Sequence, residues 1–248
     1  MKSKFLIGIT LIAMLALTAC GGGSNGGPTG EPQESSSSSS QASAPAEGSL
    51  ALDPAQATDA KALEAVGHVY ESLVAQRDGA PIPGLSVEVT ASADQLDYIF
   101  ALRPGVTFHD GTPFNADAVL TNFNRWFDPQ DPLHGSGDYS AWVSVMGGFK
   151  GETTADGQPK SNFDGIEKVN ELTVIIHLNN PDLDFVSKLT NPAFSIVSPA
   201  ALQNGADGGT GPYIIANWDA PKLTLAPYSG YWNQSAIPTG NLELELSE

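Results

Sequence analysis

A strand, a turn and a helix follow one another without a break in residues 97–127, and this succession constrains the fold more than any other feature. Large apolar residues recur at every second position of the first part, at Tyr98, Phe100 and Leu102, which is the spacing of a strand with one buried face. The HDGTP sequence at residues 109–113 predicts a turn, because glycine permits unusual backbone angles and proline cannot donate to a strand ladder. Asn115 can cap the helix that follows. Its apolar face comprises Ala116, Val119, Leu120, Phe123, Trp126 and Phe127. The succession predicts an α/β fold.

The surrounding segments show the same mixture of periodicities. Residues 60–76 have helical spacing of apolar residues after a possible cap at Thr58 or Asp59, and Val87 and Val89 precede a turn at residues 94–95, which predicts a β-hairpin with the strand above. Further strands are predicted at residues 172–178, 213–218, 223–228 and 242–246, and a short helix at residues 182–189. Residues 130–160 are rich in Gly, Pro and Asp and predict a long loop with short apolar pieces.

The first residues have the features of a secretion signal. Lys2 and Lys4 precede an apolar run at residues 5–17, which is too short for a comfortable membrane span. The sequence Leu-Thr-Ala-Cys at residues 17–20 matches a bacterial lipobox, in which cleavage before the cysteine leaves a thiol for lipid attachment. We therefore expect a signal peptide at residues 1–19 and a lipidated Cys20, the only cysteine of the chain. Two or three acyl chains would anchor the protein stably to a membrane.

Residues 20–49 form the lipidated cysteine and a Gly/Ser-rich tether. This composition cannot bury enough apolar surface to offset the entropy of ordering, so we expect a disordered spacer with a reach of about 30 Å. Residues 50–248 remain for a folded domain. The formal net charge of the whole chain is -17, and the signal removes two lysines from it. Nucleic acid and anionic lipid are therefore poor partners.

Residue patterns for catalysis, phosphate binding or metal binding are weak. The glycines at residues 208–211 run into a proline without the lysine of a phosphate-binding loop, and no serine lies in a nucleophile-elbow sequence. Asp128, Asp131 and His134 have a spacing that could gather metal ligands, but two intervening prolines favour an ordinary solvated turn. His177 alternates onto one face of a strand, where we expect a buried, hydrogen-bonded histidine. The sequence predicts no enzyme, no cofactor and no metal site.

Ordered motifs run through most of the folded part, and together they resemble family 5 of the extracytoplasmic solute-binding proteins of peptide and nickel ABC importers. The motifs are LALDPAQATD at residues 50–59, HVYESLV at 68–74, LRPGVTFHDGTPFNADAV at 102–119, FNRWFDP at 123–129, LTVIIHLNNP at 172–181, IVSPAAL at 196–202, GTGPYIIANW at 209–218 and YWN at 231–233. The resemblance implies a type II periplasmic-binding-protein-like α/β fold with an extra subdomain at about residues 70–178. The matches correspond to the first lobe only, a mixed sheet flanked by helices, so we expect a truncated chain.

The resemblance also implies a function and a set of ligand contacts. We expect a lipid-anchored, extracytoplasmic protein that binds an oligopeptide or other small solute by hinge closure and delivers it to the ABC permease subunits in the membrane. Carried over by position, Thr58, Asp59, Ala60 and Tyr139 would contact the ligand. A helix cap at Thr58 or Asp59 and loop packing at Tyr139 are the alternatives. A nickel or other small-solute receptor of the same family, or a non-transport extracellular interaction lipoprotein, remain the alternative functions.

Overall fold

The computed structural model describes residues 52–137 and 139–246. The expected signal peptide, Cys20 and the tether lie outside these residues. The helices are α1 (Ala60–Val69), α2 (Ala116–Phe127), α3 (Ser140–Met146), α4 (Phe185–Lys188) and α5 (Pro199–Asn204). The strands are β1 (Val74–Arg77), β2 (Ala80–Pro83), β3 (Ser86–Ala91), β4 (Asp97–Leu102), β5 (Phe163–Asn170), β6 (Thr173–Leu178), β7 (Tyr213–Asp219), β8 (Lys222–Pro227) and β9 (Leu242–Glu245). Short 3₁₀ turns occupy Pro54–Gln56, Pro192–Phe194 and Gln234–Ala236.

The strands form three sheets, and the predicted α/β class is confirmed. The largest sheet has four strands in the order β3-β4-β6-β5, while β1 pairs with β2 and β7-β8-β9 form a third sheet. Every ladder between these strands is antiparallel. The parallel pairs that a mixed sheet implies are therefore not among the described strands. Within this part of the chain, no helix is long and apolar enough to span a membrane.

Helix α2 and the inner face of the four-stranded sheet bury the larger core. The Asn115 side chain accepts a hydrogen bond from Ala118 N–H, which confirms the predicted cap. Aromatic rings fill the space between α2, α3 and the sheet, with Phe123 stacked on Phe163 at 5.8 Å between centroids. A second core lies between α1, α5 and the β7-β8-β9 sheet. The period of 3.6 in α2 and of 2 in β4 and β6 thus reflects burial against this shared interior.

The first helix is shorter than its apolar spacing predicts. We predicted a helix over residues 60–76, but α1 ends at Val69, and Tyr70 has extended angles (φ -120°, ψ 157°). The backbone carbonyl groups that follow α1 accept hydrogen bonds from other elements, so they do not continue the helix. Ile196 N–H donates to the carbonyl of Glu71, and Leu85 N–H donates to that of Ser72. The prediction was wrong because tertiary pairing outweighed local periodicity.

Two further predictions are corrected. The loop at residues 130–160 contains α3, whose first residue follows Tyr139 in the left-handed region (φ 48°, ψ 39°) and which ends at Gly147 with a φ of 84°. His177 lies on the outward face of β6, with its side chain 32% exposed and its Nδ1 2.7 Å from Asp97 Oδ1. It is therefore not a buried histidine, because the inward positions of β6 belong to Val174, Ile176 and Leu178.

Residues from four of the recognised motifs meet at Glu71. Its carboxylate accepts hydrogen bonds from Thr210 Oγ1 at 2.9 Å, Tyr231 Oη at 2.8 Å and Trp232 Nε1 at 2.9 Å. The guanidinium of Arg103 lies 4.0 Å above the Trp232 ring. This cluster joins the chain after α1 to the loop before β7 and to the segment after β8. Residues of these motifs therefore form contacts that hold the elements of the fold together.

His109 joins the HDGTP turn to the same loop. Its Nδ1 lies 2.8 Å from Asp207 Oδ1 and its Nε2 lies 2.9 Å from the Gly211 carbonyl oxygen. The loop passes so close to α1 that a Cβ at Gly209 would lie 2.0 Å from the Val69 carbonyl oxygen. Glycine is required there because the backbones touch.

The Glu71 cluster generates a prediction about pH. Burial, the dominant effect, raises the pKa of the Glu71 carboxyl, although the bonds from Trp232, Tyr231 and Thr210 oppose this. A carboxyl group whose pKa is higher in the folded state binds more protons when folded, so its contribution to stability decreases as pH rises from about 4 through the folded pKa. We expect Glu71→Gln to lose less stability than the unchanged protein between about pH 4 and pH 7.

Urea unfolding at several pH values measures this difference. Glu64→Gln, an exposed change on α1, serves as the matched control and should follow the unchanged protein. Parallel pH profiles for all three proteins would contradict the prediction.

Candidate ligand groove

An open groove lies between the start of α1, α3 and the 3₁₀ turn Pro192–Phe194. Its volume is about 310 Å³, at the lower end of the range of small-molecule sites. The lining residues are Ala57, Thr58, Leu63, Ser140, Ala141, Ser144, Asn191 and Ala193. Segments separated by more than one hundred residues in sequence thus form one concave surface.

Two of the segments expected to contact a ligand meet at this groove. Thr58 lines it directly, and so do Ser140 and Ala141, which follow Tyr139. Asp59 is the N-cap of α1, with Oδ1 accepting from Lys61 N–H at 3.0 Å and Ala62 N–H at 2.9 Å. The predicted cap at this position is therefore confirmed for Asp59. Ala60 is exposed in the first turn of α1 and is not among the lining residues.

Tyr139 lies behind the wall and does not line the groove. It is fully buried, and its ring stacks on His134 with 4.2 Å between centroids. Burial raises the pKa of its hydroxyl group, consistent with a neutral hydrogen-bonding role. The hydroxyl accepts from Arg125 Nη1 at 3.2 Å and donates to the His134 carbonyl oxygen. These contacts agree with loop packing, the alternative role given for Tyr139.

Arg125 connects both walls of the groove from beneath. Its side chain is 0% exposed, and its two terminal nitrogens each donate to a different Asp53 carboxylate oxygen at 2.9 Å. Asp53 in turn caps the 3₁₀ turn Pro54–Gln56 by accepting from Ala55 N–H, and this turn leads to Thr58. Through Tyr139, Arg125 also supports the start of α3. A fork of this kind restricts geometry because the guanidinium is planar.

The arrangement suits binding by neutral hydrogen bonds. Thr58, Ser140 and Ser144 contribute hydroxyl groups, and Asn191 contributes a carboxamide whose Oδ1 accepts from Ala193 N–H at 3.0 Å. The amide NH₂ group of Asn191 is thus the part that can donate to a ligand. Sequence reasoning did not identify Ser144 or Asn191. Two sequence features point to them. Ser144 lies four residues after Ser140 in a short helix, and Asn191 precedes a proline, which is typical of a cap.

The turn at residues 128–134 does not gather its polar side chains. His134 is buried, with Nδ1 2.6 Å from the Arg125 carbonyl oxygen, so this part of the predicted solvated turn is corrected. Asp128 instead pairs with Lys150 at 2.6 Å. Among residues 52–137 and 139–246, no three His, Cys, Asp or Glu side chains are close enough to hold a metal ion.

The sequence of this chain matches the pattern of a known protein family. The sequence pattern of the bacterial extracellular solute-binding proteins, family 5 Middle, matches residues 80–242, which is more than half of the chain. The chain belongs to this family. The resemblance noted from the motifs is thereby confirmed.

Two relatives of this protein have names that state what they bind. It is similar to glutathione-binding protein GsiB of Pectobacterium atrosepticum, with 33% identity over 189 residues, 73% of this chain and 33% of the relative. It is also similar to di/tripeptide-binding protein 4 of Pseudomonas aeruginosa, with 36% identity over 170 residues, 60% of this chain and 30% of the relative. The chain spans about a third of the length of these curated relatives.

Solved structures share the fold. DppA of Helicobacter pylori in complex with the peptide STSA gives a TM-score of 0.64 at 26% identity, over 79% of this chain and 40% of that one. HbpA2 of Haemophilus parasuis gives a TM-score of 0.66 at 28% identity, over 79% of this chain and 41% of that one. The predicted periplasmic-binding-protein-like fold is confirmed for the part of the fold that this chain covers.

The support behind the groove generates a prediction about stability. Tyr139→Phe removes the hydroxyl group that accepts from Arg125 and donates to the buried His134 carbonyl. We expect the free energy of unfolding to decrease by about 1–3 kcal/mol, because a buried acceptor loses its partner. Thermal and urea unfolding provide the measurement.

Tyr228→Phe is the matched control, since the Tyr228 hydroxyl donates to Phe108 O at 3.4 Å, the limit of a hydrogen bond. The decrease in the free energy of unfolding should be smaller in this variant than in Tyr139→Phe. Equal losses in the two variants would show that the Arg125 contact contributes nothing beyond the removal of a hydroxyl group.

Proposed function

We propose that this chain is the ligand-binding first lobe of an extracytoplasmic receptor for an ABC importer, with a short peptide as its ligand. The receptor binds its solute by lobe closure and delivers it to the membrane permease subunits, without a covalent step. The observation that carries this proposal is the juxtaposition of Thr58 and Ser140 in one groove, because the family resemblance assigns ligand contact to Thr58 and to Tyr139, which directly precedes Ser140.

The proposal extends to the residues that flank the described part. A signal peptide at residues 1–19 and a tether from Cys20 to residue 49 would hold the solute-binding domain, residues 50–248, on the outer side of the cell membrane. The extra subdomain would span about residues 70–178, which include the four-stranded sheet and α2. Thr58 is the ligand contact that the groove supports best, with Asp59 and Ala60 acting at the start of α1 and Tyr139 acting through the wall that it supports.

Peptides are the preferred ligand class because of two relatives. One is named as a glutathione-binding protein and the other as a di/tripeptide-binding protein, and both ligands are short and rich in amide groups. Hydroxyl and carboxamide side chains in a groove of about 310 Å³ match the donors and acceptors of such backbones. No observation among the described residues favours the nickel alternative.

A titration of the chain tests the ligand class. We expect tripeptides to bind with a Kd in the millimolar range, about 4 kcal/mol, because the groove supplies the contacts of a single lobe. NMR spectra of labelled protein should show shifts that saturate and that cluster at Thr58, Ser144 and Asn191. Thr58→Trp should weaken this binding at least about tenfold by filling the groove.

Thr239→Trp, an exposed change outside the groove, is the control and should bind normally. Glutathione and Ni²⁺ are titrated in parallel. Saturable binding of Ni²⁺ with no response to tripeptides would replace the peptide proposal by the small-solute one, and no response to any of the three would contradict both.

Lipid anchoring is tested separately at Cys20. We expect the full chain, expressed in a bacterium, to sediment with membranes and to incorporate labelled palmitate. Cys20→Ser should abolish the label, because the thiol is the proposed attachment point. Ser24→Ala, in the tether, should keep it. Labelling that persists in the Cys20→Ser variant would refute this anchor.

A further inference from the structure

The groove differs from the rest of the chain in its charge. Acidic residues number 28 and basic residues 11 in the whole sequence, yet none of either kind is among the described residues that line the groove. Asp59, which adjoins Thr58, accepts two backbone hydrogen bonds as the cap of α1, and Glu64, which adjoins Leu63, is not a lining residue. An ionised ligand group that packed against this lining would give up part of its hydration without gaining an opposite charge from the described lining residues, which is unfavourable.

The lining is small as well as neutral. Alanine supplies three of its positions, at Ala57, Ala141 and Ala193, and Leu63 supplies the remaining apolar contact. Ala193 is only 3% exposed and forms part of the rigid base. A volume of about 310 Å³, at the lower end of the range of small-molecule sites, suits a short stretch of peptide backbone with a small side chain.

The walls are held at a fixed separation by buried contacts. Arg125 binds Asp53 beneath one wall and Tyr139 beneath the other, and it has no exposure to solvent. On the third side, Asn191 caps its own 3₁₀ turn. A preorganised site discriminates by size because widening it would break these buried bonds.

We propose that the groove selects a small, uncharged residue of the peptide, such as Ser, Ala, Gly or Thr, together with its backbone amide. The hydroxyl groups of Thr58 and Ser144 and the amide NH₂ group of Asn191 bind the backbone or a ligand hydroxyl. The charged ends and side chains of the peptide bind outside the groove. This inference rests on the proposed function and adds the chemical class of residue that the first lobe recognises.

A tripeptide series tests the selection with the full chain. The peptides Ala-X-Ala, where X is Ser, Ala, Asp, Lys or Trp, are titrated by NMR, and each Kd is measured. We expect Ser and Ala to bind most tightly, with Asp, Lys and Trp at least about tenfold weaker. In the Ser144→Asp variant, the Lys peptide should gain affinity relative to the Ser peptide. Ser229→Asp, which adds the same charge at an exposed position outside the groove, should leave the order unchanged.

The outcomes separate this inference from the proposed function. Binding of all five peptides with equal affinity, with shifts at the groove, would overturn the selection and leave the peptide-binding function intact. A change in preference for Ser229→Asp equal to that for Ser144→Asp would overturn it too, because a general charge effect would then explain both. No binding by any peptide would overturn the function and the selection together.

Discussion

A buried cation determines how the described part of this chain fits together. Arg125 has no solvent contact, so its charge is tolerable only because Asp53 accepts both ends of the guanidinium. That requirement fixes the turn before α1 against the last turn of α2, although the two residues are 72 positions apart in sequence. Tyr139 and His134 complete the environment from the other side. These contacts link the segments that lead to Thr58 and to Ser140 of the groove.

Much of the scaffold can be predicted from the sequence, because its local signals and its tertiary contacts agree. Asn115 caps α2 and the apolar face of α2 enters the core, as the spacing predicts. The hairpin of β3 and β4 and the pair of β7 and β8 agree as well. Where the local signals and the tertiary contacts disagree, the prediction fails. The apolar spacing continues beyond Val69, but the backbone at residues 71–73 bonds to β-type partners elsewhere in the chain.

The candidate site could be predicted only in part, for a different physical reason. Thr58 could be predicted because it lies within the motif at residues 50–59. Helix α3 follows a left-handed tyrosine that makes no side-chain cap bond, so only the spacing of four from Ser140 pointed to Ser144. Asn191 reaches the groove through the path of the chain after α4. Pocket residues contributed by separate segments become neighbours only after the core has formed, and short polar side chains on small elements have no periodicity to reveal them.

The cluster at Glu71 has a consequence for how such proteins diversify. Glu71, Arg103, Thr210, Tyr231 and Trp232 bond to one another, and none of them lines the groove. The side chains of this cluster and those that line the groove are therefore different sets, although Thr58 of the groove also lies in a recognised motif. The contacts around Glu71 can stay constant while the groove residues change. A shared sequence signature therefore indicates a shared architecture and does not indicate a shared solute.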